Sequence, residues 1–291
     1  MIRSIFFILL FISANASCQR VKINDGNPTS VTINAPGQSP SVRIPNPNNN
    51  STNTTEDGRQ LLVIIGNSIA RGTSNGEGPT PTTGTVYEWN GSSIVQVGSN
   101  DLINAVTGSQ WPQMGINYNT ASGYKLVFTN SGSGGADFAD PGDNNYWATG
   151  GTLYPAMKTK TNNALSNMGL TSPRAIFVIC GINDARASTP LEDVQAAIAD
   201  VFDKIEADWP TARVYVVNIG RDATGISTVR INAVRSYLES EVAARANFVM
   251  AFDLRIFAED FPEYYAADNL HLNQTGCNAL GVILAAYLDN N

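Results

Sequence analysis

The chain contains one histidine, His271, and an aspartate, Asp268, precedes it by three residues. A serine nucleophile needs a base that takes its proton and a carboxylate that orients the base. His271 is the sole candidate for that base, and Asp268 can reach its imidazole ring on a tight turn. A single histidine also excludes zinc sites of the HExxH type and every other multi-histidine metal centre.

Ser68 is the candidate nucleophile because it follows an uninterrupted apolar run over residues 61–65. Five apolar residues, three of them β-branched, predict a strand that is buried on both faces. Gly66 permits a sharp exit, so Ser68 is expected at the carboxyl edge of a parallel sheet, where such sheets bind ligands. Taken alone, a serine in this position is better explained as the N-cap of the next segment.

Two further predicted strands end in groups that can stabilise a negative charge. The turn over residues 130–135 ends in Gly135, and Asn183 follows the apolar run 175–180. The carboxyl ends of parallel strands share one edge of a sheet, so these groups are expected near Ser68. The backbone N–H groups of Ser68 and Gly135 and the side-chain amide of Asn183 can form an oxyanion hole. Together with His271 and Asp268, these groups specify acyl transfer to water.

Other interpretations of the same residues are weaker. A dinucleotide-binding turn of the form G-x-G-x-x-G would need a glycine where Asp137 stands. The spacing of Gly66, Ser68 and Ala70 is close to the α/β-hydrolase elbow, but that nucleophile follows several strands, whereas Ser68 follows the first. Asp184, beside Asn183, is expected to have a structural role as a cap of its loop.

The elements that must position these groups alternate between strand and helix. Apolar runs predict five strands, at 61–65, 124–129, 175–180, 213–219 and 247–252. Helical spacing predicts helices near 153–168, 191–205, 226–244 and 274–288. The pattern predicts an α/β fold, a three-layer α/β/α sandwich around a five-stranded parallel sheet with right-handed crossovers. Residues 72–123 lack clear periodicity and are expected to form a functional loop or small elements of their own.

The amino-terminal residues have the features of an export signal. Residues 1–17 combine a basic start with a short apolar run, which is typical of a signal peptide and too short to span a bilayer. Cleavage after Ala16 would release a soluble protein. Residues 16–18 also resemble a bacterial lipobox, in which Cys18 would be lipidated and become the mature amino terminus. Residues 18–60 are rich in Asn, Ser, Thr, Pro and Gly and predict a low-complexity tether, with short extended pieces, before a domain over 61–291.

Composition limits the partners of the domain. The formal net charge of −7 argues against nucleic acid and against an anionic membrane surface, leaving a lipid at Cys18 as the expected membrane contact. Three cysteines do not make a disulfide framework. Cys180 and Cys277 are both expected to be buried, and a bridge between them stays an open alternative.

Four motifs, in order, resemble those of the SGNH (GDSL-like) hydrolase superfamily. Residues 66–69, Gly-Asn-Ser-Ile, are similar to its first motif, and residues 130–135 to its second. Gly-Ile-Asn-Asp at 181–184 is similar to G-x-N-D, and Asp-Asn-Leu-His at 268–271 to D-x-x-H. The resemblance covers about residues 61–288. It implies a five-stranded parallel sheet, esterase or lipase activity, and no cofactor.

The same resemblance implies a role for each motif residue. Ser68 would be the nucleophile, Asp268 and His271 would complete a triad, and Gly135 and Asn183 would join Ser68 in the oxyanion hole. The register of the second motif favours Gly135, with Gly132 and Gly134 as the alternatives. One departure concerns Asn67, because the family has an aspartate before its nucleophile. The long interval after Ser68, with Trp-Pro-Gln at 111–113, is faintly similar to the sialate O-acetylesterase-like branch, although its G-Q-S-N motif is absent.

The expected function is hydrolysis of short acyl esters, with acetyl esters of carbohydrate favoured. The export signal, a polar insertion with aromatic residues, and the lack of a long apolar stretch for a lipid tail motivate this expectation. A lipase, lysophospholipase or thioesterase is the alternative of the same class. A surface binding module that has the fold without turnover is the alternative of a different class.

Overall fold

A computed structural model describes residues 53–98, 101–221 and 227–290, together with the backbone of three short strands nearer the amino terminus. These strands are β1 (Cys18–Lys22), β2 (Ser30–Asn34) and β3 (Ser41–Val42), and they pair antiparallel in that order. They lie within the segment predicted as a tether. The predicted signal peptide, residues 1–17, lies outside the described residues.

A seven-stranded sheet forms the centre of the domain, and β4 is the middle strand. Its strands are β4 (Arg59–Gly66), β5 (Val86–Trp89), β6 (Ile94–Gln96), β7 (Lys125–Asn130), β8 (Ala175–Ile179), β9 (Arg213–Asn218) and β10 (Phe248–Asp253). Their order across the sheet is β10-β9-β8-β4-β7-β5-β6. All neighbours are parallel except β5 and β6. The first strand begins at Arg59, two residues before the predicted start of the domain.

The five predicted parallel strands are all present, but the predicted number of strands was too small. The two additional strands, β5 and β6, come from the insertion over residues 72–123. They are four and three residues long, so neither carries an apolar run long enough to predict a strand. They extend one edge of the sheet, where β5 pairs with β7.

Eight α-helices and one short 3₁₀ helix occur in the described residues. The α-helices are α1 (Ser68–Arg71), α2 (Trp111–Ser122), α3 (Leu153–Met168), α4 (Ile182–Arg186), α5 (Leu191–Asp208), α6 (Thr228–Ala243), α7 (Arg255–Asp260) and α8 (Gln274–Asn290). The 3₁₀ helix spans Pro262–Tyr264. None of the helices in this part of the chain is long and apolar enough to cross a membrane.

The sheet separates two apolar cores, which confirms the three-layer architecture. Side chains of a strand point alternately to the two faces of its sheet. Leu61, Val63 and Ile65 of β4 therefore pack with α3, α5 and α6 on one face. Leu62 and Ile64 pack with α2 and α8 on the other face. Burial on both faces explains why β4 is a continuous apolar run.

Cys180 and Cys277 do not form a disulfide bridge. Both thiols are free and buried. Cys180 belongs to the core on one face of the sheet and Cys277 to the core on the other, so the sheet stands between them. The bridge that the sequence left open is therefore excluded.

Candidate active site

The chain leaves β4 through a turn that only glycine can form. Gly66 has a φ of +136°, and a Cβ at this position would lie 1.9 Å from the carbonyl oxygen of Ile179. The next residue, Asn67, donates its backbone N–H to that same oxygen at 2.9 Å. The first turn after β4 is thereby joined to the end of β8, its neighbour in the sheet.

Asn67 is the N-cap of the short helix α1. Its Oδ1 accepts a hydrogen bond from the backbone N–H of Ile69 at 3.0 Å, and the side chain is buried. Asparagine and aspartate are about equally good at this position. Asn67, which stands where the SGNH motif has an aspartate, therefore still supports the loop. Because Asn67 provides the cap, Ser68 is the first residue of the helix and its hydroxyl is available for another partner.

Ser68, His271 and Asp268 lie in a hydrogen-bonded line. The Nε2 atom of His271 is 2.7 Å from Oγ of Ser68, and its Nδ1 atom is 2.6 Å from Oδ2 of Asp268. A carboxylate can only accept, so Nδ1 carries the proton and Nε2 accepts from the serine hydroxyl. This is the tautomer that a base needs to remove the proton of Ser68.

Asp268 is held as an anion by its surroundings. Burial raises its pKa, but hydrogen bonds from the His271 ring and from the N–H groups of Leu270 and His271 outweigh burial and hold the pKa below its ordinary value. The side chain is half exposed. A carboxylate that stays ionised can stabilise an imidazolium on His271.

The tight turn predicted between Asp268 and His271 is present. Oδ1 of Asp268 accepts from the backbone N–H groups of Leu270 and His271, each at 3.0 Å. Asn269 has a φ of +56°, a left-handed conformation that asparagine tolerates better than most residues. The N–H of Ala266 donates to the carbonyl of His271 at 2.8 Å and closes the turn. The turn ends three residues before α8 begins.

The three predicted oxyanion donors differ in the partners that they have in the structure. Within the described residues, the backbone N–H groups of Ser68 and Gly135 donate to no other group. The Nδ2 atom of Asn183 donates to the carbonyl of Ala136 at 3.0 Å. An amide nitrogen carries two hydrogens, so this bond fixes the side chain and leaves the second hydrogen for another acceptor. The contact also joins Asn183 to the residue that follows Gly135.

Asp184 has the structural role expected of it. It is fully buried, and its carboxylate accepts from the backbone N–H groups of Phe138 (2.9 and 3.0 Å) and Ala139 (3.0 Å). Burial raises its pKa to about 6, although these hydrogen bonds oppose the increase. Asp184 therefore fixes the chain that follows Gly135 to the loop that carries Asn183.

Residues of the insertion also hold the helix that carries Ser68, which the sequence did not predict. The indole Nε1 of Trp111 donates to the carbonyl of Ala70 at 2.7 Å, and Nε2 of Gln110 donates to that of Ile69 at 3.2 Å. These carbonyls lie in the last turn of α1, where no intrahelical donor is available. The one sequence signal was the Trp-Pro-Gln segment at 111–113.

The insertion is fastened to the start of α8 as well. The hydroxyl of Ser74 donates to Oε1 of Gln274 at 2.7 Å, and Nε2 of Gln274 donates to the carbonyl of Ser109 at 3.0 Å. A Cβ at Gly108 would lie 1.9 Å from Oε1 of Gln274. The insertion thus bridges the helix of Ser68 and the segment that follows His271.

No cluster of three or more His, Cys, Asp or Glu side chains in the described ranges could hold a metal ion. The site residues are side chains and backbone groups of the kind that acyl transfer uses.

Comparison with solved structures shows the fold. The chain is similar to a protein from Arabidopsis thaliana with a TM-score of 0.62 and 16% identity, over 80% of this chain and 98% of that one. It is similar to NanS with a TM-score of 0.55 and 11% identity, over 81% and 97% of the two chains.

A third similar structure is a carbohydrate esterase family 2 enzyme, with its carbohydrate-binding domain, from Corynascus thermopiles (Myceliophthora fergusii). Its TM-score is 0.50 with 13% identity, over 89% of this chain and 70% of that one. No protein-family model matches the chain, and no curated protein sequence matches it. The seven-stranded, three-layer architecture and these similarities show that the chain shares the α/β fold of these proteins, and the four motifs that resemble those of the SGNH hydrolases lie within it.

Proposed function

We propose that the protein is a serine esterase that hydrolyses short acyl esters by an acyl-enzyme mechanism. The observation that carries this proposal is the line from Ser68 through His271 to Asp268, with atom separations of 2.7 and 2.6 Å. The proposed nucleophile, base and orienting carboxylate are within hydrogen-bond reach of one another, as nucleophilic catalysis requires.

In the first half of the reaction, Oγ of Ser68 attacks the ester carbonyl while Nε2 of His271 takes its proton. The carbonyl oxygen becomes an oxyanion, which the N–H groups of Ser68 and Gly135 and the Asn183 amide receive. The intermediate then collapses. Its bond to the alcohol oxygen breaks, and His271 returns the proton to the leaving alcohol.

In the second half, water attacks the acyl-serine. His271 takes a proton from the water, and the second tetrahedral intermediate uses the same three donors. Collapse releases the carboxylic acid, and the proton on His271 returns to Ser68. Asp268 holds the ring and stabilises its positive charge in both halves.

The sequence supports a short acyl group, because it contains no long apolar stretch suited to a lipid tail. The similar fold of a carbohydrate esterase supports an ester carried on a carbohydrate. We therefore favour an acetyl ester of a sugar as substrate.

The predicted export signal supports a location outside the cytoplasm. The protein would be either a lipoprotein anchored through Cys18, at the outer surface or in the periplasm, or a protein secreted after cleavage behind Ala16. Its proposed partners are a small-molecule or polysaccharide ester and no nucleic acid, in keeping with the net charge of −7.

The second candidate is a long-chain esterase, that is a lipase, lysophospholipase or thioesterase. An open cleft of about 650 Å³ lies along the insertion, and Ile103 and Val106 line it with 67% and 57% of their surface exposed. Exposed apolar side chains in a cleft can bind an apolar group of a substrate. The alternative of a different class is a binding module. Such a module would not need His271 and Asp268 to be aligned with Ser68, so this alignment favours an enzyme.

Hydrolysis of aryl esters of increasing acyl length tests the proposal. We expect kcat/KM to be highest for acetyl or propionyl and to fall with longer chains, and both Ser68→Ala and His271→Ala to abolish turnover. A rate that increases towards long chains would establish the second candidate instead. Activity that survives Ser68→Ala would refute the mechanism, and a folded wild type without esterase activity would favour the binding module.

A further inference from the structure

Arg71 lies on the same side of α1 as the proposed nucleophile. Ser68 and Arg71 are the first and last residues of this one-turn helix. Residues three positions apart face the same side of a helix and are neighbours on its surface. The arginine side chain therefore starts one helical turn from the serine hydroxyl.

The guanidinium group of Arg71 is fixed in orientation. Its Nε donates to the carbonyl oxygen of Asn104 at 2.9 Å. The side chain of Asn104 donates in turn to the carbonyl of Gly132 at 2.9 Å. Asn104 thus ties Arg71 to the glycine turn that ends in Gly135. An arginine whose Nε is held in this way presents its two Nη groups as a planar fork.

The fork lies beside the glycine turn. A Cβ built on Gly134 would be 3.6 Å from Nη1 of Arg71, so the guanidinium is in contact distance of the residue before the proposed oxyanion donor Gly135. This places a cation beside the glycine turn, on the helix that begins with Ser68.

The Nη groups of Arg71 have no partner in the described part of the chain. No carboxylate among those residues lies within 4.0 Å of the guanidinium, and neither Nη atom donates a hydrogen bond to them. Arg245 provides the contrast, because three carboxylates surround its guanidinium. The donors of Arg71 remain available to a ligand.

We infer that Arg71 binds a carboxylate on the alcohol part of the substrate, so that the preferred ester is an acetylated sugar acid. The inference rests on the proposed function and adds the class of sugar. Two parallel N–H groups match the two oxygens of a carboxylate. An acetyl group has no carboxylate of its own, so the anion belongs to the alcohol that leaves.

A single negative charge fits the site better than a polyanion. The chain has a net charge of −7, and Glu77 and Asp101 line the neighbouring cleft. A phosphorylated sugar or a densely charged polymer would be repelled by these groups. A single carboxylate can accept hydrogen bonds from both Nη groups of Arg71, and the substrate then carries no further negative charge that needs a cation.

A matched pair of substrates tests the inference: an O-acetylated sugar acid and the same sugar as its carboxamide. We expect the wild type to prefer the carboxylate, and Arg71→Ala to reduce the ratio of the two kcat/KM values by about ten- to a hundredfold, the range for hydrogen bonds to a charged group. Arg71→Lys keeps the charge without the fork and should retain part of the preference. Lys125→Ala removes one positive charge at the start of β7, the opposite edge of the sheet, and should leave the ratio unchanged.

The outcomes separate the two claims. If the wild type hydrolyses both esters at equal rates, the carboxylate inference is wrong but the proposed esterase activity is not affected. The same holds if Arg71→Ala reduces the rates on both esters equally, a result that would mean that Arg71 supports the oxyanion. If the wild type hydrolyses neither ester nor any aryl acetate, the proposed function fails and the inference fails with it. Thermal unfolding of each variant shows whether a lost preference reflects misfolding.

Discussion

The imidazole Nε2 of His271 contacts the hydroxyl of Ser68 at 2.7 Å, although 203 positions of sequence separate the two residues. One follows the middle strand of the sheet, and the other precedes the last helix. The contact therefore forms only when the first and last parts of the domain are both in place. The insertion joins the same two parts of the domain, because Trp111 donates a hydrogen bond to α1 and Ser74 donates one to Gln274 at the start of α8.

Replacing Asp268 with asparagine tests the role of the carboxylate. The amide cannot supply the negative charge, and it does not fix the Nδ1 proton of His271. We expect kcat to decrease by about a thousandfold, with little change in KM, because the interaction matters most when the ring is charged. Steady-state kinetics on an aryl acetate measures both parameters. A loss of less than about threefold would show that His271 works without Asp268.

Asn67 is expected to act through its cap on α1. Asn67→Ala removes the acceptor of the Ile69 N–H, and it should reduce the free energy of unfolding by about 1 kcal/mol and lower kcat. Asn67→Asp keeps an acceptor at the helix amino terminus and should remain active. Urea unfolding and esterase kinetics on both variants are the measurements. If the alanine variant matched the wild type in both, the cap would have no part in holding Ser68.

Trp111 should be needed for its indole N–H as well as for its volume. In Trp111→Phe the buried carbonyl of Ala70 loses its donor, which costs about 1–3 kcal/mol. Trp147→Phe is the matched control, since Trp147 is equally buried and its Nε1 has no partner among the described residues. We expect a larger decrease in unfolding free energy, and a clear decrease in kcat, only for Trp111→Phe. Equal effects of both substitutions would contradict the assigned role of the hydrogen bond.

Asp137 should make stability depend on pH. Burial, and then the nearby carboxylates of Asp184 and Asp143, raise the pKa of Asp137 to about 8 from 3.8. The folded state therefore binds more protons than the unfolded state between these values, and the free energy of unfolding decreases as pH rises through that window.

Asp137→Asn removes this titration. Its stability relative to the wild type should increase from about pH 4 to about pH 8, by a few kcal/mol in total. Urea unfolding across that range measures the difference. Asp184, whose pKa is also raised, is present in both proteins, so the difference reports the titration of Asp137 together with its coupling to Asp184. A difference that stays constant with pH would show that Asp137 is ionised in the folded protein.

The strands and the groups at their ends were predictable from the sequence. Burial on both faces leaves continuous apolar runs such as that of β4, and a parallel sheet collects the residues after these runs at one edge. The sole histidine restricted the base to His271. For these reasons the residues of the proposed triad could be named before their separations were known.

The insertion was not predictable in the same way. The strands β5 and β6 are short, and the apolar face of α2, which buries Trp111, Met114 and Tyr118, is interrupted by glycine and polar residues. The hydrogen bonds from Trp111 to α1 and from Asn104 to the glycine turn depend on how distant segments pack. Local sequence patterns do not predict contacts between distant segments, so the environment of Arg71 could be described only from the structure.

Covalent labelling by a serine-directed phosphonate tests the central claim most directly. The reagent reacts with a serine only when a base activates it and an oxyanion hole receives the phosphoryl oxygen. We predict that one phosphonyl group is added to each wild-type molecule, that peptide mass spectrometry places it on Ser68, and that His271→Ala slows labelling by orders of magnitude. A folded wild type that is not labelled, or is labelled at another residue, would contradict the account.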